Sequence, residues 1–255
     1  MNNTHSAISL HDKPSSDFLQ KVQASQQLLQ QVSTQFQTIK QASSLGAEDL
    51  VVSHLIDQLD LNIPMFVLDT GALHEQTYAL LERLQASSKQ LIEVYKPIHQ
   101  FVIQFVRDKG QRSIFKSMDH RKQCCDIRKM EPLQRALKDQ QAWITGLRRE
   151  QSTNRAQVSQ IQVDIQNRRE MSKVNPLVDW TWGDVWHYIG IHQIDYNPLH
   201  DQFYPSIGCA PCTRAISLGE DFRAGRWWWE EATAKECGLH LNTSSLPFVA
   251  KKELA

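Results

Sequence analysis

Short apolar runs alternate with amphipathic stretches between residues 38 and 95, and this alternation is the feature that most constrains the fold. Thr38–Ser43, Ile63–Leu68 and Leu91–Tyr95 are predicted strands. Between them, Glu48–Leu59 and His74–Gln85 are predicted helices, the first with acidic residues in its opening turn. Repetition of strand, loop and helix predicts an α/β protein with a doubly wound, mainly parallel sheet and helices on both of its faces.

The rest of the chain extends this core on both sides. An amphipathic helix is predicted over Asp17–Ile39, where apolar residues recur at steps of three, four and seven. A helical region is predicted over Ile98–Lys138, with interruptions at Lys109–Gly110 and at the cysteines. Strands or extended segments are predicted at Ala142–Gly146, Ile161–Ile165 and Lys173–Leu177. A helix is predicted from Thr181 to Ile191, and a loop-rich region after Asn197. We therefore expect an N-terminal helical segment over 1–37, packed on the core or on a neighbouring subunit, an α/β domain over 38–226, and a mobile tail over 227–255.

Charge and hydropathy exclude several classes of partner. The 28 Lys and Arg residues balance 28 Asp and Glu residues, so no net field attracts a polyanion, and long nucleic acid is not expected as a partner. The longest apolar runs, such as Met65–Leu68, are far shorter than the roughly 20 residues that cross a bilayer. Met1–Leu19 lacks the apolar core of a secretory signal. We expect a cytoplasmic protein with no membrane partner.

Four of the five cysteines have the pattern of metal ligands. Cys124 and Cys125 are adjacent, and Cys209 and Cys212 form a CxxC pair. Four thiolates are the number that a [4Fe–4S] cluster or a structural zinc ion requires. Adjacent side chains diverge and reach a single small ion awkwardly, so the spacing favours the larger iron–sulfur cluster over zinc. The remaining alternative is two buried apolar cysteines with an incidental CxxC.

The fifth cysteine, Cys237, lies in a polar segment close to the C-terminus. Lys235 and His240 are near it in sequence, and nearby cations lower the pKa of a thiol and raise its nucleophilic fraction. This pattern is typical of a reactive thiolate, and the alternative is an inert surface thiol.

Residues suited to an anion occur in two settings. Ser43–Asp49 stands between a strand and a helix, where backbone N–H groups can receive phosphate, although a simple capped helix start explains it equally well. Arginines follow the cysteine pairs and the predicted strand at Ala142–Gly146, and guanidinium groups match phosphate and sulfate oxygens. We predict that they bind a small anionic substrate, with Arg148 among the contacts; the alternative is solvated helix faces.

The order of motifs along the chain resembles one known family. The matching motifs are Cys124–Lys129, Trp143–Ser152, Asn175–Trp180, Tyr204–Arg214, Gly225–Glu230 and Lys235–His240. Over about residues 40 to 240 they resemble the assimilatory adenylylsulfate (APS) and phosphoadenylylsulfate (PAPS) reductases. Members that bind [4Fe–4S] have both cysteine pairs, and this chain has both, so it looks like an APS reductase.

The resemblance implies an adenine nucleotide α-hydrolase-like fold of the PP-loop type. It implies that Ser43, Ser44, Gly46, Leu68 and Gly146 surround the nucleoside, and that Lys129, Arg223, Arg226 and His240 contact the phosphosulfate. The metal ligands would be Cys124, Cys125, Cys209 and Cys212. Two positions depart from the family pattern: Ala72, where arginine is frequent, and Leu45, where a small residue is frequent.

The resemblance also implies a reaction. The Cys237 thiolate would attack the sulfur of APS, AMP would leave, and thioredoxin or glutaredoxin would release sulfite from the Cys237 S-sulfonate. We expect a homo-oligomer. The alternatives are a PAPS or dual APS/PAPS reductase, an adenylyl-transfer enzyme of the same fold, and a zinc or cluster sensor without catalysis.

Overall fold

The structure is a computed structural model that describes residues 6–166 and 169–230. Its strands are β1 (Ile39–Ser43), β2 (Met65–Leu68), β3 (Ile92–Tyr95), β4 (Ala142–Ile144), β5 (Ile161–Gln166) and β6 (Arg169–Val174). Its α-helices are α1 (Ala7–His11), α2 (Phe18–Gln35), α3 (Ala47–Gln58), α4 (Glu75–Ser87), α5 (His99–Lys109), α6 (Met118–Cys125), α7 (Glu131–Ala136) and α8 (Trp182–His192). A π-helical turn, Asp126–Met130, joins α6 to α7.

The six strands form one sheet in the order β3-β2-β1-β4-β6-β5. All neighbouring pairs are parallel except β5 with β6, which are antiparallel. The strand order runs outward from β1 in one direction and from β4 in the other, so the sheet has a topological switch point between these two strands. Ligands of open α/β sheets bind at the carboxyl ends of the strands at such a point.

Helices cover both faces of the sheet, as a doubly wound fold requires. On one face, α2, α3 and α8 pack against Ile39, Ile144 and Val174. On the opposite face, α7 packs against Phe66 and Trp143. The predicted α/β class with a mainly parallel sheet is confirmed.

The N-terminal helix belongs to this same core. Leu29 and Val32 of α2 are fully buried in the cluster that contains the sheet residues. Ser25 fixes the helix further: its hydroxyl donates to the Pro176 carbonyl (2.7 Å) and accepts from the Trp180 indole N–H (3.0 Å). The helix ends at Gln35 rather than at the predicted Ile39, because Ile39 begins β1.

Two local predictions were wrong. The helix was expected to break at the cysteines, but α6, the π-helical turn and α7 follow one another without a gap from Met118 to Ala136. The extended segment predicted at Lys173–Leu177 lies earlier, as β6, because Arg169–Val174 pairs with β5 and β4. Within the described residues no helix is long and apolar enough to cross a membrane.

Candidate active site

The loop after β1 is fixed by the carboxylate of Asp49, in the first turn of α3. The Ser44 backbone N–H and hydroxyl both donate to its Oδ2 at 2.7 Å, and the Gly146 N–H donates to its Oδ1 at 3.2 Å. Desolvation raises the pKa of this carboxyl to about 6, against the lowering effect of the hydrogen bonds from Ser44. Leu45 turns the chain with a φ of 61°, its side chain fully buried. The carboxylate thus ties the carboxyl end of β1 to that of β4.

A cavity opens at the carboxyl ends of β1, β2 and β4. Nine of the described residues were predicted to contact the substrate, and all of them except Arg148 line this cavity. These eight are Ser43, Ser44, Gly46, Leu68, Lys129, Gly146, Arg223 and Arg226. Gly146 allows the end of β4 to lie close to Asp49, which a side chain would prevent, since a Cβ at this position would lie 2.6 Å from Asp49 Oδ1. The cavity therefore combines small residues at strand ends with four cationic side chains, the fourth being Arg155, and this suits an anionic nucleotide.

A second cavity, of about 420 Å³, is lined by all four predicted metal ligands. Cys124 and Cys125 lie at the end of α6, where the helix widens into the π-helical turn, and such turns are frequent at functional sites. Cys209 precedes a short 3₁₀ turn, and Cys212 is the last residue of that turn. The fold thus brings two cysteine pairs, distant in sequence, to one cavity.

The donor set at this cavity suits a thiolate-ligated group. Burial raises the pKa of the Cys124 thiol, and burial together with the neighbouring Cys209 raises the pKa of Cys212 to about 12. Thiols held neutral in this way release protons when a metal binds. Thr70 Oγ1 lies 3.2 Å from Cys209 Sγ. In the part of the chain that the structure describes, no three His, Cys, Asp or Glu side chains are grouped closely enough to hold a single metal ion.

The two cavities are neighbours. Lys129 and Cys209 line both of them. Lys129 belongs to the π-helical turn that follows the cysteine pair, so the conformation of that turn places a cation between the thiols and the nucleotide-type cavity.

A comparison with protein-family models assigns the chain to a family. The family model described as the phosphoadenosine phosphosulfate reductase domain matches residues 38–215, which include β1 to β6 and both cysteine pairs. The chain belongs to this family.

Curated members of the reductase family match most of the chain. The adenosine 5'-phosphosulfate reductase of Burkholderia cepacia is 46% identical over 223 residues, which cover 88% of this chain and 88% of the relative. The enzyme of the same name from Allochromatium vinosum is 49% identical, covering 84% of this chain and 83% of the relative.

Solved structures agree with the family fold. The phosphoadenylyl-sulfate reductase of Candida auris matches with a TM-score of 0.63 and 24% identity, covering 80% of this chain and 98% of that one. The FMN adenylyltransferase of Candida glabrata matches with a TM-score of 0.57 and 13% identity, covering 92% of this chain and 83% of that one. At these identities the likeness concerns the fold alone, and it confirms the predicted doubly wound α/β fold.

One predicted substrate contact of this reductase-family chain lies outside the cavity. Arg148 is fully buried, and its guanidinium donates to Glu48 Oε1 (3.0 Å), to Glu150 Oε2 (2.7 Å) and to the Trp180 carbonyl (3.3 Å). It is not among the residues that line the cavity. The prediction that Arg148 contacts substrate is therefore corrected: it holds Glu48, which does line the cavity, through a buried ion pair.

Sequence reasoning missed several residues that line the nucleotide-type cavity. Trp143 follows from the fold, because it stands in β4, and this signal was available in the sequence. Arg155 was noted only as one of many cations, although it is 95% buried in the cavity wall. His200 gave no signal, because it lies in the region without periodicity.

His200 supports the start of α3. Its Nε2 accepts the Ala47 backbone N–H at 3.3 Å, so the ring is neutral there and carries its proton on Nδ1. Burial lowers the pKa of His200 to about 4, which keeps the ring neutral at physiological pH. The histidine thereby binds the first turn of the helix that carries Glu48 and Asp49.

The last described residues lie beside the cysteine cavity. Arg121 donates to both carboxylate oxygens of Glu230, at 3.0 and 2.7 Å, and both partners are buried. Trp227 is 1% exposed and lines the cysteine cavity, with the guanidinium of Arg121 at 4.6 Å from its ring, so it packs there rather than stacking on a base. Cys237 and His240 lie outside the described residues.

Proposed function

We propose that this chain reduces adenosine 5'-phosphosulfate to sulfite and AMP. The observation that carries the proposal is the junction of two cavities: a cation-lined cavity at the sheet's switch point shares Lys129 and Cys209 with a cavity lined by four cysteines. The names of the curated relatives, at 44–49% identity over most of the chain, support the same substrate.

The strand ends would hold the nucleoside. Ser43 ends β1, and Ser44 and Gly46 belong to the loop after it, which Asp49 ties to Gly146 at the end of the neighbouring strand. The adenosine would lie against this loop and Leu68, with its phosphosulfate directed to the cations.

The cations make nucleophilic attack on an anion feasible. A thiolate that approaches a phosphosulfate meets like-charge repulsion, so Lys129, Arg223 and Arg226 would neutralise the substrate oxygens and the charge that develops on the leaving AMP. Arg226 is oriented by hydrogen bonds to Ser206 Oγ (3.3 Å) and the Ile207 carbonyl (3.1 Å).

Cys237 would be the nucleophile. Its thiolate attacks the sulfate sulfur, a sulfur–sulfur bond forms, and the sulfur–oxygen bond to AMP breaks, leaving a Cys237 S-sulfonate. A dithiol reductant, thioredoxin or glutaredoxin, then attacks the Cys237 sulfur and expels sulfite. Its second thiol resolves the mixed disulfide, so the reductant supplies both electrons.

Cys124, Cys125, Cys209 and Cys212 would hold a [4Fe–4S] cluster. Four thiols that surround one cavity provide the ligand number that such a cluster takes. The cluster would supply a local electrostatic field beside the substrate. Lys129, on the turn that follows two of the ligands, would stay in position between the cluster and the phosphosulfate.

The activity is tested by sulfite release from APS and, separately, from PAPS with reduced thioredoxin. We expect turnover of APS and loss of turnover in Cys237→Ser, with AMP binding preserved in that variant. Normal sulfite release by Cys237→Ser would exclude the assigned nucleophile. Turnover of PAPS alone would reassign the substrate.

The cofactor is tested by metal analysis and visible absorption of anaerobically purified protein. We expect about four iron atoms per chain and a broad band near roughly 400 nm, both lost in Cys212→Ser and both kept in Cys237→Ser. Zinc in place of iron would contradict the proposal.

A further inference from the structure

Two histidines outside both cavities face each other across the contact between α3 and α8. His54 lies in α3, His192 is the last residue of α8, and the centres of their imidazole rings are 4.8 Å apart. Leu55 and Ile189, the neighbours of this contact on the two helices, are fully buried in one core cluster. Packing of the helices therefore holds the two histidines at this spacing. Neither histidine lines the nucleotide-type cavity or the cysteine cavity.

The spacing of the two rings fits a shared metal ion. An imidazole nitrogen binds Zn²⁺ at about 2.0–2.1 Å, so two imidazoles on one ion have ring centres about 4.5–5 Å apart. The ring centres of His54 and His192 lie 4.8 Å apart, and the ring planes are inclined to each other by 42° rather than stacked in parallel. Both rings can therefore reach one ion without movement of either helix.

Both imidazoles are held in the neutral form, which is the form that binds metals. Burial lowers the pKa of His54, and the neighbouring His192 lowers it further, because a positive charge on one ring opposes a positive charge on the other. Partial burial lowers the pKa of His192 as well. A neutral imidazole keeps a lone pair for a metal ion, so an ion binds to this pair at physiological pH without competition from protons.

Tyr188 orients the ring of His54. Its hydroxyl lies 3.0 Å from His54 Nδ1. Burial raises the pKa of Tyr188 to about 12, so the side chain stays a phenol whose oxygen accepts the proton on Nδ1. In this tautomer the lone pair is on His54 Nε2. Metal-binding histidines usually donate their second ring N–H to an oxygen in the same way, and this contact fixes the ring orientation.

The position of His192 favours a cation and gives it access. The residue is exposed, so an ion from solvent reaches the pair directly. It also ends α8, and the carbonyl groups at the C-terminus of a helix stabilise a positive charge. Within the described part of the chain, no third His, Cys, Asp or Glu side chain joins the pair as a ligand. Water would therefore complete the coordination of the ion.

We propose that His54 and His192 form a surface site for a divalent ion of the zinc class, which links α3 to α8. Imidazole ligands suit zinc, nickel and copper ions, whereas magnesium and calcium ions prefer oxygen ligands. Because two protein ligands leave the remaining positions to water, the ion exchanges with solvent. The site is separate from the four cysteines and does not depend on the proposed reduction of APS.

The test is calorimetric titration of the full, anaerobically purified chain with Zn²⁺. We expect the affinity of one Zn²⁺ per chain to fall at least about tenfold in His54→Gln and in His192→Gln. Tyr188→Phe keeps both ligands and removes the hydroxyl beside His54 Nδ1, so it should weaken the same binding about tenfold. The matched control is His99→Gln, which removes an exposed histidine at the start of α5 and should leave the affinity unchanged. Zinc bound by cysteines is common to all these chains, so the differences between them report the histidine site.

Histidine ¹⁵N resonances locate the ion in the native chain and need no variant. Zn²⁺ should shift the ring nitrogen resonances of His54 and His192 and leave those of His99 in place, and Mg²⁺ should shift none of them. Unchanged Zn²⁺ affinity in His54→Gln and His192→Gln would overturn the proposal, and so would an equal loss of affinity in His99→Gln. Resonances of His54 and His192 that do not respond to Zn²⁺, or that respond equally to Mg²⁺, would overturn it as well.

Discussion

At the scale of single residues, the candidate active site depends on how closely two strand ends approach each other. Gly146 lies so near Asp49 that an added Cβ would contact the carboxylate oxygen at 2.6 Å and the Asp49 backbone nitrogen at 3.1 Å. We therefore expect Gly146→Ala to push the end of β4 away from the start of α3. Overpacking of this kind costs about 1–3 kcal/mol, and it should weaken AMP binding about tenfold or more when measured by titration calorimetry.

The control for that variant is Gly219→Ala. Gly219 has a φ of 90° and nothing within 4 Å of an added Cβ, so alanine strains the backbone there without touching the cavity. It should lower the free energy of unfolding and leave AMP affinity unchanged. Equal AMP affinity in Gly146→Ala and the native chain would show that the strand ends do not bind the nucleotide.

Arg148 is a second residue for which measurement can distinguish a structural role from a substrate contact. Its side chain is fully buried against Glu48, and removal of one partner of a buried pair costs about 3–5 kcal/mol. We expect Arg148→Met to lower the free energy of unfolding in urea by about that amount, and Glu48→Gln in the same chain to restore part of it.

Arg223→Met is the matched comparison, because Arg223 lines the cavity that Arg148 does not reach. It should raise the KM for APS with a much smaller loss of stability. A large rise in KM with unchanged stability for Arg148→Met would return Arg148 to the substrate contacts.

At the scale of elements, the start of α3 depends on a neutral histidine. Burial lowers the pKa of His200 from its ordinary 6.5 to about 4. As pH falls from 6.5 towards 4, the unfolded chain takes up a proton at this position and the folded chain does not, so stability decreases over that window. Over this pH range, the protonation of the unfolded chain at His200 lowers the free energy of unfolding by about 2–3 kcal/mol.

The variant His200→Gln isolates this contribution, since a glutamine oxygen can still accept the Ala47 N–H. The difference in unfolding free energy between native chain and variant should shrink, or shift in favour of the variant, between pH 7 and pH 4.5. Urea unfolding at a series of pH values measures it. A difference that does not change with pH would show that His200 does not remain neutral on folding.

The elements themselves were largely predictable, and the reason is periodic burial. β1 to β4, α3, α4 and α8 begin and end within a few residues of the predicted bounds, because apolar spacing and the Thr181–Asp184 capping box encode them locally. The continuous helix through Cys124 and Cys125 was not predictable, because a π-helical turn has no local sequence signature and depends on what packs around it.

At the scale of the whole molecule, the site was predictable where it consists of strand ends and motif residues. The parallel sheet brings Ser43, Leu68 and Gly146 together at the carboxyl ends of its strands, so a correct fold class and a family resemblance place them in one site. Arg148 was misassigned because charge along a sequence does not reveal a buried partner 100 residues away. The contact between the two cavities, through Lys129 and Cys209, likewise arises only from tertiary packing.

The central claim is that Cys237 takes the sulfonate group from APS. The most direct measurement is mass spectrometry of the reduced, desalted protein after it is mixed with APS in the absence of thioredoxin. We predict one sulfonate adduct per chain on the peptide that contains Cys237, released as sulfite when reduced thioredoxin is added. An unmodified Cys237, or an adduct on another cysteine while AMP is still formed, would contradict the account.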